Sequence, residues 1–470
     1  MKVESALEVA AGVKAGRLTA STHVGSVFAA IKARNPQINA FVDLTEARAL
    51  AEAKAVDAAV TAGRDPGPLA GVPFAVKNLF DVKGLTTLAG SKINREQPPA
   101  AADSTLVARL NAAGAVLVGT LNMDEYAYGF TTENTHYGAT HNPHDLTRIA
   151  GGSSGGSAAS VAAGLVPLSL GSDTNGSIRV PASLCGVFAL KPTYGRLSRA
   201  GTFPFAASFD HVGPFCRSTA DLVTAYDALQ GPDSRDPVCR DAPAEPVSAK
   251  LALGTQGLRL ARAGGYFEAN AEKAVAEMVK RVCEALGVTR SVEIPEAGRA
   301  RAAAFVITAT EGSQLHLANL RKRANDFEPL IRDRLLANTM ITGAWYVQAQ
   351  RFRRWYYREV MKVFSEVDVI LAPATPRPAV RIGQAMMTIN GVEMPSRPNT
   401  GALTQPISFI GLPVAAVPIG MLEGLPDMDR PMPVGLQIIA APWREDLCLR
   451  VAAVLEKMGV AKFNPPKEPS

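Results

Sequence analysis

Apolar residues recur every three to four positions in VGSVFAAIKARN (24–35) and in ARALAEAKAVDAAV (47–60). That repeat lines one face of an α-helix, so residues 4–62 read as helices, with Ser21 and Thr22 available as caps. The pattern then changes. VPFAVKNLFDV (72–82) is an almost unbroken apolar run interrupted by one lysine, as in a strand buried on both faces. AADSTLVARLNAAG (101–114) predicts a helix capped by Ser104 and closed by Gly114, and AVLVGTL (115–121) predicts a strand. The alternation continues with a helix at 157–164, a strand at 165–172 and a short helix at 181–187 with Pro181 in its first turn. Amphipathic helices are predicted at 218–230 and 267–286, and 301–364 is strongly helical. VDVILAPATP (367–376), ISFIGLPVAAVPIG (407–420) and VGLQIIA (434–440) read as strands. A helix over 447–459 and a fraying tail over 464–470 follow. PDSRDPVCRDAPAEPVSAK (232–250) is the clearest loop. Alternating helices and strands over this length predict an α/β fold around a large sheet.

Composition narrows the function classes. Hydrophobic residues make up 47% of the chain and charged residues 20%, which excludes a disordered chain. The net charge of +6 is mild for 470 residues. The basic aromatic stretch Arg351–Arg358 could stack on nucleic acid, but it also fits a solvated helix face, and nucleic acid is not an expected partner. Five scattered cysteines with no C-x-x-C suit a reducing compartment, and the N-terminus lacks the apolar core of a signal peptide. The charge-free windows 149–172 and 401–421 are broken by Gly, Ser or Pro and do not read as membrane spans. A cytoplasmic protein is expected. His141 and His144 lie three apart in a Pro-containing loop, too weak a signal for a metal site, and neither metal nor cofactor is expected.

The chemistry is concentrated in GGSSGGSAASVAAGLVPLSLGSDTNGSIR (151–179). No lysine follows these glycines as a P-loop requires. Gly151, Ser153 and Gly155 satisfy G-x-S-x-G, but RIAGG is a poor strand to precede a nucleophile elbow. The second cluster, Gly171 to Arg179, is more informative. An apolar strand runs into a turn at Asn175 and Gly176, residue types that tolerate positive φ, and a helix begins near Ser177. Such a turn can aim successive N–H groups at one point beside a serine hydroxyl, as an oxyanion hole does, although a plain Asx-turn with a serine cap has the same sequence. A serine nucleophile needs a base. His211 and His316 are candidates. So is Lys77, alone in its apolar run, where burial would lower its pKa from about 10.4. Lys77 could equally snorkel or form a buried ion pair.

These residues resemble the amidase signature family. The resemblance is densest over 71–220, in GVPFAVKNLF, NMDEYAYG, GGSSGGSAAS, GSDTNGSIRVPAS, GVFALKPTYGRLS and FDHVGPFCRS, and it returns in GLPVAAVPIG and PVGLQIIA. It implies a large mixed, twisted β-sheet covered by helices on both sides, and a Ser–Ser–Lys triad. The matching positions are Lys77 as base, Ser153 as bridging serine and Ser177 as nucleophile. The backbone amides of Thr174, Asn175, Gly176 and Ser177 would form the oxyanion hole. Family members commonly carry glycine where Asn175 stands, which bears on pocket size. Tyr126, Tyr128, Ser154 and Arg179 are candidates for the substrate pocket. Ser154 also suits a supporting role and Arg179 a structural ion pair, while Asp173 is expected to brace the turn. Because residues 77, 153 and 177 must meet, the chain is expected to be one domain, 1–470. Its parts are a helical segment 1–65, a catalytic core 66–230, a helical insertion at about 260–365, and C-terminal strands and helix 366–460.

Two branches of the family are similar in wording. NMDEYAYGFTTEN resembles the glutaminase subunits of tRNA-dependent amidotransferases. THYGATHNP, SDTNGS and RAGTFPFAASFDHVGPF are closer to the hydrolases of 1-carboxybiuret in cyanuric acid breakdown. The latter implies a small anionic amide, release of ammonia, and a small companion protein resembling the small subunit of the amidotransferases, in a heterotetramer or else a homodimer. A catalytically silent scaffold is the alternative of another class, and the intact Lys77, Ser153 and Ser177 argue against it.

Overall fold

The computed structural model describes residues 4–467; the first three residues and the end of the expected fraying tail, 468–470, lie outside the described residues. One 11-stranded sheet runs through the chain. Its strands are β1 (Phe41–Leu44), β2 (Pro73–Lys77), β3 (Val116–Leu121), β4 (Leu168–Asp173), β5 (Phe188–Lys191), β6 (His211–Cys216), β7 (Leu260–Ala263), β8 (Ser291–Val292), β9 (Val369–Pro373), β10 (Val414–Leu422) and β11 (Met432–Ala440). The order across the sheet is β1-β3-β2-β4-β6-β5-β10-β11-β9-β7-β8. β3, β2 and β4 are mutually parallel, as are β9, β7 and β8, and the remaining pairs are antiparallel. The expected mixed α/β sheet is therefore present.

Most predicted elements lie within a few residues of their expected positions, and the differences have local causes. The helical reading of 4–62 is broken by β1, because Asn39 ends the Ala20–Ile38 helix in the left-handed region (φ 54°). Thr19, not Ser21 or Thr22, caps that helix, accepting from the Thr22 N–H at 3.3 Å. Ser104 stands at the cap position of Thr105–Ala112, but its hydroxyl makes no cap bond. β2 stops at Lys77 rather than at Val82. The stretch 267–286 divides into a short turn of helix, Tyr266–Ala269, and Lys273–Ala285. The region 301–364 consists of Ala297–Arg323, Pro329–Asn338 and Gly343–Glu366. In 407–420 only the second half is strand, since Gln405–Ser408 forms a helical turn.

The core strands are buried along their whole length: every residue of β2, β3, β4, β5, β6, β9 and β11 is buried. That suits the apolar runs of β2, β3, β9 and β11, and it leaves Lys77 and Lys191 as fully buried lysines at the ends of β2 and β5. Parallel β2 and β4 are adjacent, with Val76 opposite Leu170, so their C-terminal ends bring Lys77 and Ser172 together. In open α/β sheets this end of neighbouring strands is where ligands bind.

Candidate active site

Lys77 is the last residue of β2 and has no exposed surface. Its Nζ lies 2.7 Å from Ser153 Oγ and 2.9 Å from Ser172 Oγ. Among the described residues no carboxylate lies within ion-pair distance of it. Burial disfavours the ammonium and lowers its pKa to about 7, while the more distant Asp124, Asp210 and Asp173 pull the other way. Neither the snorkelling nor the ion-pair reading of Lys77 matches this position. Ser153 sits just before the Gly155–Ala162 helix, after a cis Gly152–Ser153 peptide. A side chain at Gly152 would meet Asp124 Oδ2 at 2.1 Å, so only glycine lets the segment lie this close to Asp124. Ser154 turns away from the lysine and latches the end of β4, donating to the Ser172 carbonyl (3.1 Å) and accepting from the Ser172 N–H (3.2 Å).

The turn of Thr174, Asn175, Gly176 and Ser177 follows β4. Gly176 has φ of +141°, and a Cβ there would meet Thr404 Oγ1 at 2.0 Å, so the position demands glycine twice over. Asn175 does not adopt positive φ, contrary to the expectation for that residue. Its contribution is its side chain: Nδ2 donates to Thr308 Oγ1 at 3.3 Å on the Ala297–Arg323 helix. Thr174 Oγ1 donates to Asp210 at 2.6 Å, and Thr404 Oγ1 donates to the Asn175 carbonyl at 2.8 Å. Among the described residues, the N–H groups of residues 174–177 donate to no protein acceptor. They are free to hold an oxyanion.

Asp173 braces the turn as expected, accepting from the Ile178 N–H at 3.2 Å. Its carboxylate pairs with Arg179, Nε to Oδ2 at 3.0 Å and Nη2 to Oδ1 at 3.1 Å. Burial pushes the Asp173 pKa up, but Arg179 more than offsets this and holds it below the usual carboxylate range. Arg179 is fully buried and also donates to Gln437 Oε1 (2.6 Å), the Thr404 carbonyl (3.1 Å) and Ser408 Oγ. Of its two sequence readings the structure holds the ion pair, and Arg179 does not reach the cavity in front of Ser177.

That cavity encloses about 810 Å³. Ser177 lines it with Thr174 and Asn175, and Tyr128 forms part of its wall. Tyr126 and Ser154 do not line it. Tyr126 packs instead on His316, ring centroids 3.9 Å apart, and donates to Asn94 Oδ1 at 3.1 Å. The Ser177 hydroxyl makes no hydrogen bond among the described residues, so the structure joins Lys77 to Ser153 directly and leaves Ser177 open to the cavity. The histidine alternatives lose ground. His211 Nδ1 lies 3.1 Å from the Asp173 carbonyl, and burial holds its pKa well below the ordinary value. Burial lowers His316 to about 4. His144 is buried against the Cys185 carbonyl, and no group of potential metal ligands occurs among the described residues.

Several site residues escaped sequence reasoning. Ser172 is one; its signal was its place on the strand beside β2. Asp124 is another, although it lies inside NMDEYAYG. It accepts from the N–H groups of Thr131 (3.2 Å) and Thr132 (3.0 Å) and faces Arg397 at 3.5 Å. The cavity arginines Arg301, Arg334 and Arg397 gave no signal, because on helices and loops of mixed composition they look like surface residues.

Residues 23–449 match the family model described as Amidase. The chain is 54% identical to the AtzE subunit of 1-carboxybiuret hydrolase from Pseudomonas sp. (strain ADP), covering 97% of this chain and 99% of that one. It is 37% identical to a glutamyl-tRNA(Gln) amidotransferase subunit of Chloroflexus aurantiacus, over 95% of each chain. A solved vestigial protein complex, described as revealing the evolutionary origins of an s-triazine catabolic enzyme, superposes with a TM-score of 0.95 at 54% identity, covering 98% of this chain and 100% of that one. The matching family model, the near full-length relatives and the shared fold agree: this chain belongs to the amidase family, and it is a hydrolase of amide bonds.

Proposed function

We propose that the protein hydrolyses a small anionic amide, 1-carboxybiuret, to 1,3-dicarboxyurea and ammonia through an acyl-enzyme on Ser177. The observation that carries this is the charge of the cavity: Ser177 opens into a space whose charged lining residues are three arginines, with no aspartate or glutamate. Such a lining favours an anionic substrate. The 54% identity to a 1-carboxybiuret hydrolase chain, against 37% to an amidotransferase chain, supports the same choice.

In this mechanism neutral Lys77 accepts the proton of Ser153, and Ser153 accepts that of Ser177 as its Oγ attacks the terminal amide carbon. The tetrahedral oxyanion is stabilised by the free N–H groups of residues 174–177. On collapse the carbon–nitrogen bond breaks, Ser153 protonates the departing nitrogen, and ammonia leaves. Water then attacks the acyl carbon, gives its proton to the same relay, and frees Ser177 and the acid. The 2.7 Å contact of Lys77 with Ser153 and the lowered lysine pKa support this relay.

We infer further that the chain works as one amidase domain in the cytoplasm, together with a small companion protein. The continuous sheet supports the first point, and the solved complex at 54% identity supports the last. Among the described residues no helix is long and apolar enough to cross a membrane. An ammonia-release screen over carboxybiuret, biuret, glutamine, indoleacetamide and simple fatty amides tests the proposal, with Ser177→Ala as control. Carboxybiuret is expected to be the best substrate. Glutamine as the only good substrate would refute the reading.

A further inference from the structure

The side-chain amide of Asn175 is only half satisfied by the protein. The residue is 9% exposed and lines the cavity beside Ser177. Thr308 fixes which way the amide faces. Its hydroxyl has one proton and donates it to the Ala304 carbonyl at 2.9 Å, so towards Asn175 it can only accept. Nδ2 therefore takes the side of the Ala297–Arg323 helix, donating to Thr308 Oγ1 at 3.3 Å, and Oδ1 takes the other. Thr404 Oγ1 holds the backbone of the same residue, donating to its carbonyl at 2.8 Å. Oδ1 itself is buried and has no hydrogen-bond partner among the described residues.

A buried acceptor with no donor carries a desolvation penalty that a ligand donor removes. The N–H of Asn175 also donates to no protein acceptor among the described residues. One residue thus offers a donor from its backbone and a neutral acceptor from its side chain. An N–H bonded to a carbonyl carbon, as in a urea, presents the complementary pair: its oxygen accepts and its N–H donates. A methylene in place of that N–H would leave Oδ1 buried and unpaired, the situation in which a polar site discriminates most strongly.

We propose that Asn175 Oδ1 accepts a hydrogen bond from a substrate N–H on the acyl side of the carbonyl that Ser177 attacks. The substrate class is then a ureide, with nitrogen on both sides of that carbon, rather than the amide of a carbon chain. Carboxybiuret meets this description and glutamine does not. The assignment deepens the reading of the cavity as the site of a small anionic amide, and it rests on that reading. It makes Asn175 a specificity-determining residue, outside the proton relay.

The test uses two anions that differ in one group. Hydantoate has an N–H beside its terminal carbonyl where succinamate has a methylene. Each is titrated calorimetrically into full-length Ser177→Ala enzyme, with Asn175 intact and with Asn175→Ala or Asn175→Gly added. Differences in stiffness and hydration between the two anions are common to all three proteins, so the change in their affinity ratio isolates the contact. With Asn175 present, hydantoate is expected to bind about tenfold or more tighter than succinamate, and either substitution should reduce that preference about fivefold or more. No preference with Asn175 present, or a preference that survives both substitutions, overturns the assignment. The same result is expected if Oδ1 instead takes an N–H of the departing amide, which both anions carry. If the wild-type enzyme releases no ammonia from carboxybiuret while the ratio still depends on residue 175, the carboxybiuret reading fails and the Asn175 assignment stands. If carboxybiuret is hydrolysed and the ratio ignores residue 175, only the Asn175 assignment fails.

Discussion

Lys77 shows how burial tunes a single residue. A lysine with no exposed surface and no carboxylate in contact is held near neutrality by burial, with a pKa of about 7. Its base form is populated above that value and lost below it. The acidic limb of kcat/KM should therefore fall about tenfold per pH unit below 7, which a pH–rate profile on carboxybiuret reads. A profile flat down to pH 5 would contradict a lysine base. Burial also links Lys77 to stability. Between about pH 7 and the unfolded pKa of about 10.4 the unfolded chain binds the extra proton, so this group makes stability rise with pH across that window. Wild type should gain on Lys77→Met between pH 7 and 10 in denaturant melts. The lysine was legible in the sequence because it alone interrupts an apolar run. Arg301, Arg334 and Arg397 were not, since nothing local distinguishes an arginine lining a cavity from one in solvent.

At the scale of elements, the turn after β4 depends on packing from the far end of the chain. Thr404 fills the space beside Gly176, and Gln437, Ser408 and Thr404 surround Arg179. Gly176→Ala should displace this turn, the proposed oxyanion hole, and cost activity by about two or more decades, with the fold retained on circular dichroism. Arg179→Met should act differently. It leaves Asp173 as an unpaired buried carboxylate, a loss of about 3–5 kcal/mol that denaturant unfolding would show. The sequence shows that a turn lies here and that serines crowd it. It does not show these partners, which lie more than two hundred residues away along the chain. Strands β5 and β6 also went unassigned, because β5 is only 4 residues long and β6 carries Gly213 and Pro214 within its run.

For the whole molecule, the sheet brings a core of early strands together with a late helical region that supplies two of the three cavity arginines. The residues proposed as catalytic and the cavity arginines thus come from different parts of the chain. The former were readable from local wording, the latter only from the fold. The net charge of +6 says little by itself, whereas its local concentration at the cavity has a measurable consequence. kcat/KM for an anionic amide should fall about threefold or more as ionic strength rises from about 0.02 to about 0.2 M, while that for propionamide stays level.

In the proposed mechanism Ser177, served by Ser153 and Lys77, is the nucleophile. Peptide mapping by mass spectrometry after reaction with a fluorophosphonate reads this out. The adduct is expected on Ser177 in the wild-type enzyme, with none in Ser177→Ala; an adduct on Ser153 instead would rule out Ser177 as the nucleophile.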